Sequence, residues 1–229
     1  MTTRKVFAVF SKLTRCGTVF LVAMGWTMSG QVKGSPGIAE PRPHKSEPSR
    51  TAELAVRQHF LEMFARSYFP GRTGQLLIVP RRGDVITRPD PNVAYMHGSP
   101  WPYDVAIPLM FAGAAVKAGV YSIPAAQQDL APTLAAAVRI PMPATTTGRI
   151  LPVFRTGFTQ PRVVMLIVLD GMRRDYFDRY ASFMPTLTAL RQRSAWFTEA
   201  QVNFLPTNTA DGQSTISTEL TPACMESQA

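Results

Sequence analysis

A continuous apolar run, Arg162–Asp170 (RVVMLIVLD), constrains the fold of this 229-residue chain more than any other segment. Its unbroken apolar residues followed by Asp-Gly are typical of a central strand buried on both faces. Next come a helical segment that starts at Pro185, a strand candidate at Trp196–Phe204, and a polar turn into a short helix at Thr207–Thr218. This alternation predicts an α/β fold with a mostly parallel sheet, in which ligands bind at the carboxyl ends of strands. Asp170 and Thr209 both fall at such ends.

The first half of the chain has weaker signals, but it also alternates. The expected elements are a helix over Thr51–Phe69, a buried strand at Gly74–Pro80 with a return strand at Val85–Thr87, a long loop over Pro89–Tyr103, a buried strand at Val105–Ala112, a helix over Pro124–Ile140 and a connector over Pro141–Pro161. We expect Leu76–Val79 and Ala106–Phe111 to flank Val163–Leu169 in the core of an α/β sandwich.

The amino terminus has the layout of a secretory signal. Four basic residues (Arg4, Lys5, Lys12 and Arg15) precede the apolar run Gly17–Ser29, which is too short to span a bilayer comfortably. The pattern predicts a signal peptide at 1–30 and a linker at 31–50, and hence a periplasmic or secreted protein. An uncleaved anchor and a misassigned start are the alternatives. The chain would contact a membrane only through this leader, if it stays uncleaved.

Charge and cysteine content exclude several classes of protein. Residues 1–50 hold eight Lys/Arg and two acidic residues, net +6, whereas the remainder holds sixteen and thirteen, net +3. Most of the net charge of +9 therefore lies in the leader and linker, and no basic cluster has interleaved aromatic residues, so no nucleic-acid binding is expected. Two cysteines exclude a disulfide scaffold and a Cys-rich zinc fold.

Three residues are candidates for chemistry, and each has a plain structural alternative. Asp170 is either a metal ligand or a cap of the next helix. Thr209, at a helix amino terminus, suits a nucleophile or a phosphate-binding hydroxyl, but it could be a simple helix cap. His97, in a His-Gly turn of the long loop, is either a ligand or an ordinary loop histidine. No function is assigned to His44 or His59.

Three segments together resemble one family. They are Val163–Arg173 with its Asp-Gly, Met184–Leu187 (MPTL) and Thr207–Gly212 (TNTADG). They look like the amino-terminal half of the alkaline phosphatase superfamily, in particular its type I phosphodiesterase/nucleotide pyrophosphatase-like branch. The resemblance implies a three-layer α/β sandwich, a two-metal site expected to hold zinc, and a small phosphate ester as substrate. It implies that Asp170 is a metal ligand and that Thr209 is both nucleophile and ligand. Gln213 departs from the histidine that the family often has four residues after that threonine.

The segment 51–156 looks like the carboxy-terminal end of the same family, whereas the segment 162–218 looks like its amino-terminal half, which carries the nucleophile. The match rests on the motifs Tyr68–Gly74, Gly83–Val85, His97–Asp104, Ile107–Leu109 and Asp129–Ala135. It implies that His97 is a late metal ligand. The order of the two segments is permuted relative to the family, through circular permutation or fusion of gene pieces. The middle of the family, with its Asp and His pairs, is missing, so only Asp170, Thr209 and His97 remain of the two-metal ligand set and the fold is expected to be incomplete.

The last residues depart from the family pattern after Ser217-Thr218. The family continues with Gly-Thr-Asp-Pro-Arg-x-His-Gly-Ile, whereas this chain reads Glu219–Ala229 (ELTPACMESQA). One nucleotide restored before the Glu219 codon permits the family reading. The segment 219–229 is therefore interpreted as a frame-shifted tail, in which Cys224 has no function.

Two functions from different classes follow from the sequence. The first is a secreted, metal-dependent phosphomonoesterase or phosphodiesterase that uses Thr209 as nucleophile. The alternative is a truncated and catalytically inactive relative that at most binds metal or phosphate. An extracellular binding module without metal is a third reading. The ligand count favours the alternative, because an Asp, a Thr and one His do not complete two four-coordinate sites.

Overall fold

A computed structural model describes residues 50–84, 96–218 and 220–223, and the backbone alone of 18–22. The predicted return strand at Val85–Thr87 lies outside the described residues. So do most of the predicted signal peptide, linker and tail. No helix in the described part of the chain is long and apolar enough to cross a membrane.

Five strands form one mixed sheet in the order β3-β5-β2-β1-β4. Their bounds are β1 (Thr18–Val22), β2 (Leu109–Ala112), β3 (Gly119–Ala126), β4 (Val164–Val168) and β5 (Ala195–Gln201). β1 pairs parallel with β4 and antiparallel with β2, while β5 pairs antiparallel with β2 and parallel with β3. Four of the five described strands therefore run in one direction, and β2 runs in the opposite direction.

Six α-helices accompany the sheet in the described residues. They are α1 (Arg50–Ala65), α2 (Pro102–Val105), α3 (Leu130–Val138), α4 (Tyr176–Arg179), α5 (Pro185–Gln192) and α6 (Thr209–Thr218). Pro185 stands in the first turn of α5, where its missing N–H leaves no intrahelical bond unmade. α1 is supported by an exposed Arg57–Glu53 ion pair at 2.9 Å and ends before Pro70-Gly71.

Helices cover both faces of the sheet, because side chains alternate along β2 and β5. Leu109 and Phe111 point to one face, where they pack with α3 and α6, and Met110 points to the other, against α4 and α5. Fully buried side chains of this size each stabilise the fold by roughly 1.5–3 kcal/mol. The result is a three-layer α/β arrangement, and the fold class predicted from the sequence is confirmed.

The second half of the chain folds much as its pattern predicts. The run Arg162–Asp170 contains β4, Pro185 begins α5, Trp196–Phe204 overlaps β5, and the turn at Thr207 enters α6. One expectation is wrong: β4 is not central. It lies at an edge, and its side chains are only partly buried, with Leu166 38% exposed. No strand among the described residues covers its outer side.

The first half departs further from its pattern. Gly74–Pro80 is not a strand, and Leu76 and Ile78 are 80% and 71% exposed, because no described strand pairs with it. The segment Leu76–Val79 therefore does not flank β4 in the core, contrary to the prediction. Residues 102–105 form α2, so the strand predicted over Val105–Ala112 starts only at Leu109, just after Pro108. The predicted helix Pro124–Ile140 begins at Leu130, since its first residues end β3.

β1 falls inside the segment for which the sequence predicts a signal peptide. Its backbone pairs with all five residues of β4, from Thr18 opposite Val164 to Val22 opposite Val168. This pairing fills the position between β2 and β4. Cleavage of the leader stays a prediction.

The connector between the two family-like segments is fastened to the core at Asp129. The Asp129 carboxylate accepts hydrogen bonds from the backbone N–H groups of Ala126 and Arg149, both at 2.9 Å. Thr133 Oγ1 accepts the N–H of Leu151 at 3.0 Å. A Cβ added to Gly148 would lie 1.9 Å from the carbonyl oxygen of Gln128, so only glycine fits there. The Asp-Leu-Ala-Pro-Thr motif singled out in the sequence therefore has a structural role.

Candidate active site

Asp170 and Thr209 are in direct contact. Asp170 lies two residues beyond β4, in a turn that Gly171 completes with a φ of +72°. Thr209 is the first residue of α6, and its hydroxyl donates to Asp170 Oδ2 at 3.0 Å. Neither structural alternative describes these contacts. Thr209 uses its hydroxyl on Asp170 rather than on the backbone of α6, and the helix after Asp170 begins only at Tyr176.

His97 reaches the same place from the other family-like segment. Its Nδ1 lies 2.6 Å from the carbonyl oxygen of Thr207, two residues before Thr209. A carbonyl oxygen only accepts, so Nδ1 carries the proton and donates, which leaves the lone pair of the neutral ring on Nε2. Asp170 is close enough for the charge of His97 to lower the pKa of its carboxyl group. The structure thus brings together all three residues singled out in the sequence, across 112 positions from 97 to 209.

The strand order between Asp170 and Thr209 differs from the one that the sequence predicts. β4 and β5 run in the same direction, so their carboxyl ends lie at one edge of the sheet, but β2 and β1 separate them. The sequence predicts that Asp170 and Thr209 follow the ends of neighbouring strands. The structure shows that this prediction is wrong, because β4 and β5 are not neighbours. The segment 202–208 between β5 and α6 connects β5 to Thr209, which contacts Asp170 despite that separation.

The pKa of Asp170 is raised above its ordinary value. Burial is the largest cause, and the hydrogen bond from Thr209 and the charge of His97 only partly offset it. The carboxylate is thus held in surroundings that disfavour its charge. A raised pKa in a carboxyl group with two specific partners is common at functional sites.

The donor set fits one cation better than two. Asp170 Oδ1 is buried and has no hydrogen-bond partner, which is an unusual state for a carboxylate oxygen and is relieved by a bound cation. Asp170 Oδ1, Thr209 Oγ1 and His97 Nε2 are the atoms that could hold it. Among the residues described here, no group of three or more His, Cys, Asp or Glu side chains could form a metal site. Ligands for a second metal are therefore not found in that part of the chain.

Sequence reasoning assigned no role to Thr207 and Asp104, which support the site. Thr207 orients His97 through its carbonyl, and its own Oγ1 is buried without a partner. The Asp104 carboxylate accepts the N–H of Ser99 at 3.0 Å and also the Ser99 hydroxyl, which closes the loop just after His97. Thr207 lies in the motif Thr207–Gly212 and Asp104 lies in the motif His97–Asp104. Their closeness in sequence to Thr209 and His97 is the signal that could have identified them as part of the site.

Two clefts open elsewhere on the described surface. One of about 340 Å³ lies between α1, the segment after it and α6, and one of about 580 Å³ lies beside the outer part of α6. Neither is lined by Asp170, Thr209 or His97.

Comparison with known proteins gives one finding. No curated protein and no solved structure matches the chain. Residues 164–224 match the family model of type I phosphodiesterase/nucleotide pyrophosphatase, part of the alkaline phosphatase superfamily. The match includes β4, Asp170, Thr209 and α6. It is partial and does not include His97 or the other residues of the segment 51–156. It confirms, for residues 164–224, the resemblance to the type I phosphodiesterase/nucleotide pyrophosphatase family.

Proposed function

We propose that this chain derives from a secreted, metal-dependent phosphoric ester hydrolase in which Thr209 is the nucleophile. The observation that carries the proposal is the contact between the Thr209 hydroxyl and Asp170 Oδ2 at 3.0 Å, next to an unpartnered Asp170 Oδ1 and the imidazole of His97. The family match over residues 164–224 supports a hydrolase of phosphate esters or nucleotides.

The chemistry follows from the placement of Thr209. Its oxygen would bond to phosphorus while the ester oxygen leaves, and water would then hydrolyse the resulting phosphothreonine. The hydroxyl proton is already directed at Asp170 Oδ2, and the first turn of α6 offers free backbone N–H groups for phosphoryl oxygens. A divalent cation, zinc in our proposal, would stabilise charge on the phosphoryl group and lower the pKa of the threonine hydroxyl.

The test is hydrolysis of p-nitrophenyl phosphate and of bis(p-nitrophenyl) phosphate by the full chain, with and without added zinc. We expect turnover only with zinc, abolished in Thr209→Ala and partly kept in Thr209→Ser. The two substrates separate monoesterase from diesterase activity. Turnover that is equal in the wild type and Thr209→Ala would contradict the assignment of the nucleophile.

A second candidate function is favoured by the number of ligands. The described residues provide donors for one cation, and a family site with two metals needs more. Such a chain would bind zinc or phosphate without turnover. Metal analysis and phosphate-binding measurements on the purified chain separate the cases. Bound zinc or bound phosphate without hydrolysis of either ester supports the binding protein, and absence of zinc, phosphate binding and hydrolysis contradicts both proposals.

We also propose export from the cytoplasm, on the pattern of the leader alone. Fractionation of cells that express the full chain, with the amino terminus of the product sequenced, tests it. A product found in the cytoplasm with Met1 still in place would contradict this proposal and leave the chemistry unaffected.

A further inference from the structure

Arg173 lies in the loop that carries Asp170 and contacts α2, the helix that follows the turn at His97. Its Nε and Nη2 donate to the two carboxylate oxygens of Asp175 at 2.9 and 2.7 Å, a bidentate pair that fixes the plane of the guanidinium. The same guanidinium carbon is 5.4 Å from the centre of the Tyr103 ring and 5.8 Å from that of Tyr176. Tyr103 belongs to α2, the helix that follows the turn at His97. Asp175 ends the loop after Asp170, and Tyr176 is the first residue of α4.

The surroundings of Arg173 favour its charged form. Burial alone would lower its pKa, but the hydrogen bonds to Asp175, and the charges of Asp175, Tyr176 and Asp104, raise it overall. Asp104 is also the residue that holds Ser99, two positions after His97. A short chain of contacts therefore leads from the turn at Asp170 through Arg173 to Tyr103 and Asp104, and from there to the turn at His97.

The next residue, Arg174, fastens the loop after β4 to the carboxyl end of α2 and to β5. Arg174 donates its N–H to the carbonyl of Ala106 at 3.3 Å and its guanidinium to the carbonyl of Thr198 on β5. These bonds seat the loop after β4 on the sheet. Arg173 is then the side chain that joins the two sides, because it contacts Tyr103 of α2 as well as Asp175 and Tyr176 on its own side.

We propose that Arg173 is a positioning residue that sets the separation of Asp170 and His97, and thereby the affinity of the site for a divalent cation. The second part of this inference rests on the proposed function. Residues that orient metal ligands from behind commonly change affinity by ten- to a hundredfold when they are altered. Lysine cannot replace arginine here, because it has neither the fork that matches a carboxylate nor a flat face for an aromatic ring.

The test compares Arg173→Lys with Arg179→Lys in the full chain. Arg179 is a matched control: it also pairs with Asp175, at 3.5 Å, and stacks on a tyrosine, Tyr180 at 5.5 Å, but within the described part of the chain it does not contact Tyr103 or Asp104. We expect Arg173→Lys to weaken zinc binding about tenfold by calorimetry, and Arg179→Lys to change it less than twofold. Both are measured at a temperature where circular dichroism shows each variant folded.

Hydrogen exchange of the Ser99 amide in the metal-free chain gives a second readout. The N–H of Ser99 is held by Asp104, so exchange should be faster in Arg173→Lys and unchanged in Arg179→Lys. If the wild type binds no zinc but this difference is seen, the metal part of the proposed function fails and the positioning role stands. If Arg173→Lys does not fold, Tyr103→Leu removes the same ring contact from the side of α2 and should give the same two effects relative to Tyr103→Phe, since both of these variants lose the hydroxyl that accepts the N–H of Gly83.

Three results would overturn the inference. The first is unchanged zinc affinity and unchanged Ser99 exchange in Arg173→Lys. The second is an equal loss in both lysine variants, because the shared bond to Asp175, and not the contact with Tyr103, would then be responsible. The third is a folded Tyr103→Leu variant that behaves as Tyr103→Phe does.

Discussion

Replacing Thr209 by valine tests the contact between Thr209 and Asp170. The structure predicts both the size of the resulting change in the free energy of unfolding and its dependence on pH. The substitution keeps the shape of the side chain but removes the hydroxyl that donates to Asp170 Oδ2. Hydrogen bonds to charged groups contribute about 1.5–3 kcal/mol, and partial solvent access at Asp170 reduces this. We expect the free energy of unfolding at pH 7 to fall by about 1 kcal/mol in Thr209→Val. Thr209→Ser, which keeps the hydroxyl, should lose less than half of that.

The pH dependence follows from the pKa of Asp170. The hydrogen bond from Thr209 lowers that pKa, so the valine variant raises it further above the ordinary value of 3.8. Below 3.8 Asp170 is protonated in every state, and the part of the difference that depends on its charge disappears. As the pH rises through the raised pKa values the difference grows to its full size. Urea denaturation of the three proteins between pH 3 and pH 7 measures it. A difference that is constant across that range, or that is equal for valine and serine, would refute the reasoning.

Three further predictions concern stability and metal binding. Gly148→Ala should lower the free energy of unfolding by about 1–3 kcal/mol, because its Cβ would lie 1.9 Å from a backbone oxygen; Gly74→Ala, whose nearest neighbour is at 3.9 Å, is the control, and a Gly148→Ala variant as stable as that control would contradict the packing described. Asp211 has its pKa raised by burial, although a hydrogen bond from Asn208 opposes this, so ionisation costs stability as the pH rises above 3.8. Asp211→Asn should therefore be more stable than the wild type at pH 7 by urea denaturation, with the gain vanishing near pH 3; a gain that persists at pH 3 would contradict it. Zinc at a hundred times its dissociation constant should stabilise the wild type by about 2.7 kcal/mol in thermal scans, an effect lost in His97→Ala and kept in the exposed control His59→Ala; equal loss in both would argue against His97.

The secondary structure of the second half of the chain could be predicted from its sequence because the patterns that specify it are local. The apolar run before Asp170, the proline at the start of α5 and the polar turn before Thr209 each specify an element within about ten residues. The convergence of His97 on the other two residues was not local. It came from the family resemblance, because nothing in the spacing relates residue 97 to residue 209.

The errors arose where long-range pairing decides the structure. Gly74–Pro80 has the composition of a buried strand, but a strand needs a partner, and none of the described strands provides one. The sequence did not predict β3 because Pro124 interrupts its pattern, yet β3 is an edge strand, where a proline can stand within the pairing with β5. Arg173 lies in the Val163–Arg173 motif, but its partner Tyr103 is 70 positions away, so the sequence does not indicate its contacts.

The exposed segment Gln75–Val79 has a consequence for the behaviour of the protein in solution. It is a run of four large aliphatic residues after one glutamine, without a charge or a proline, and Leu76 and Ile78 are mostly exposed. Segments of this composition associate readily with copies of themselves. Pro80, Arg81 and Arg82 follow directly and act against such association through a missing N–H and through charge repulsion. Because repulsion between exposed charges is screened by salt, the purified chain should stay monomeric at low ionic strength and aggregate as salt is added.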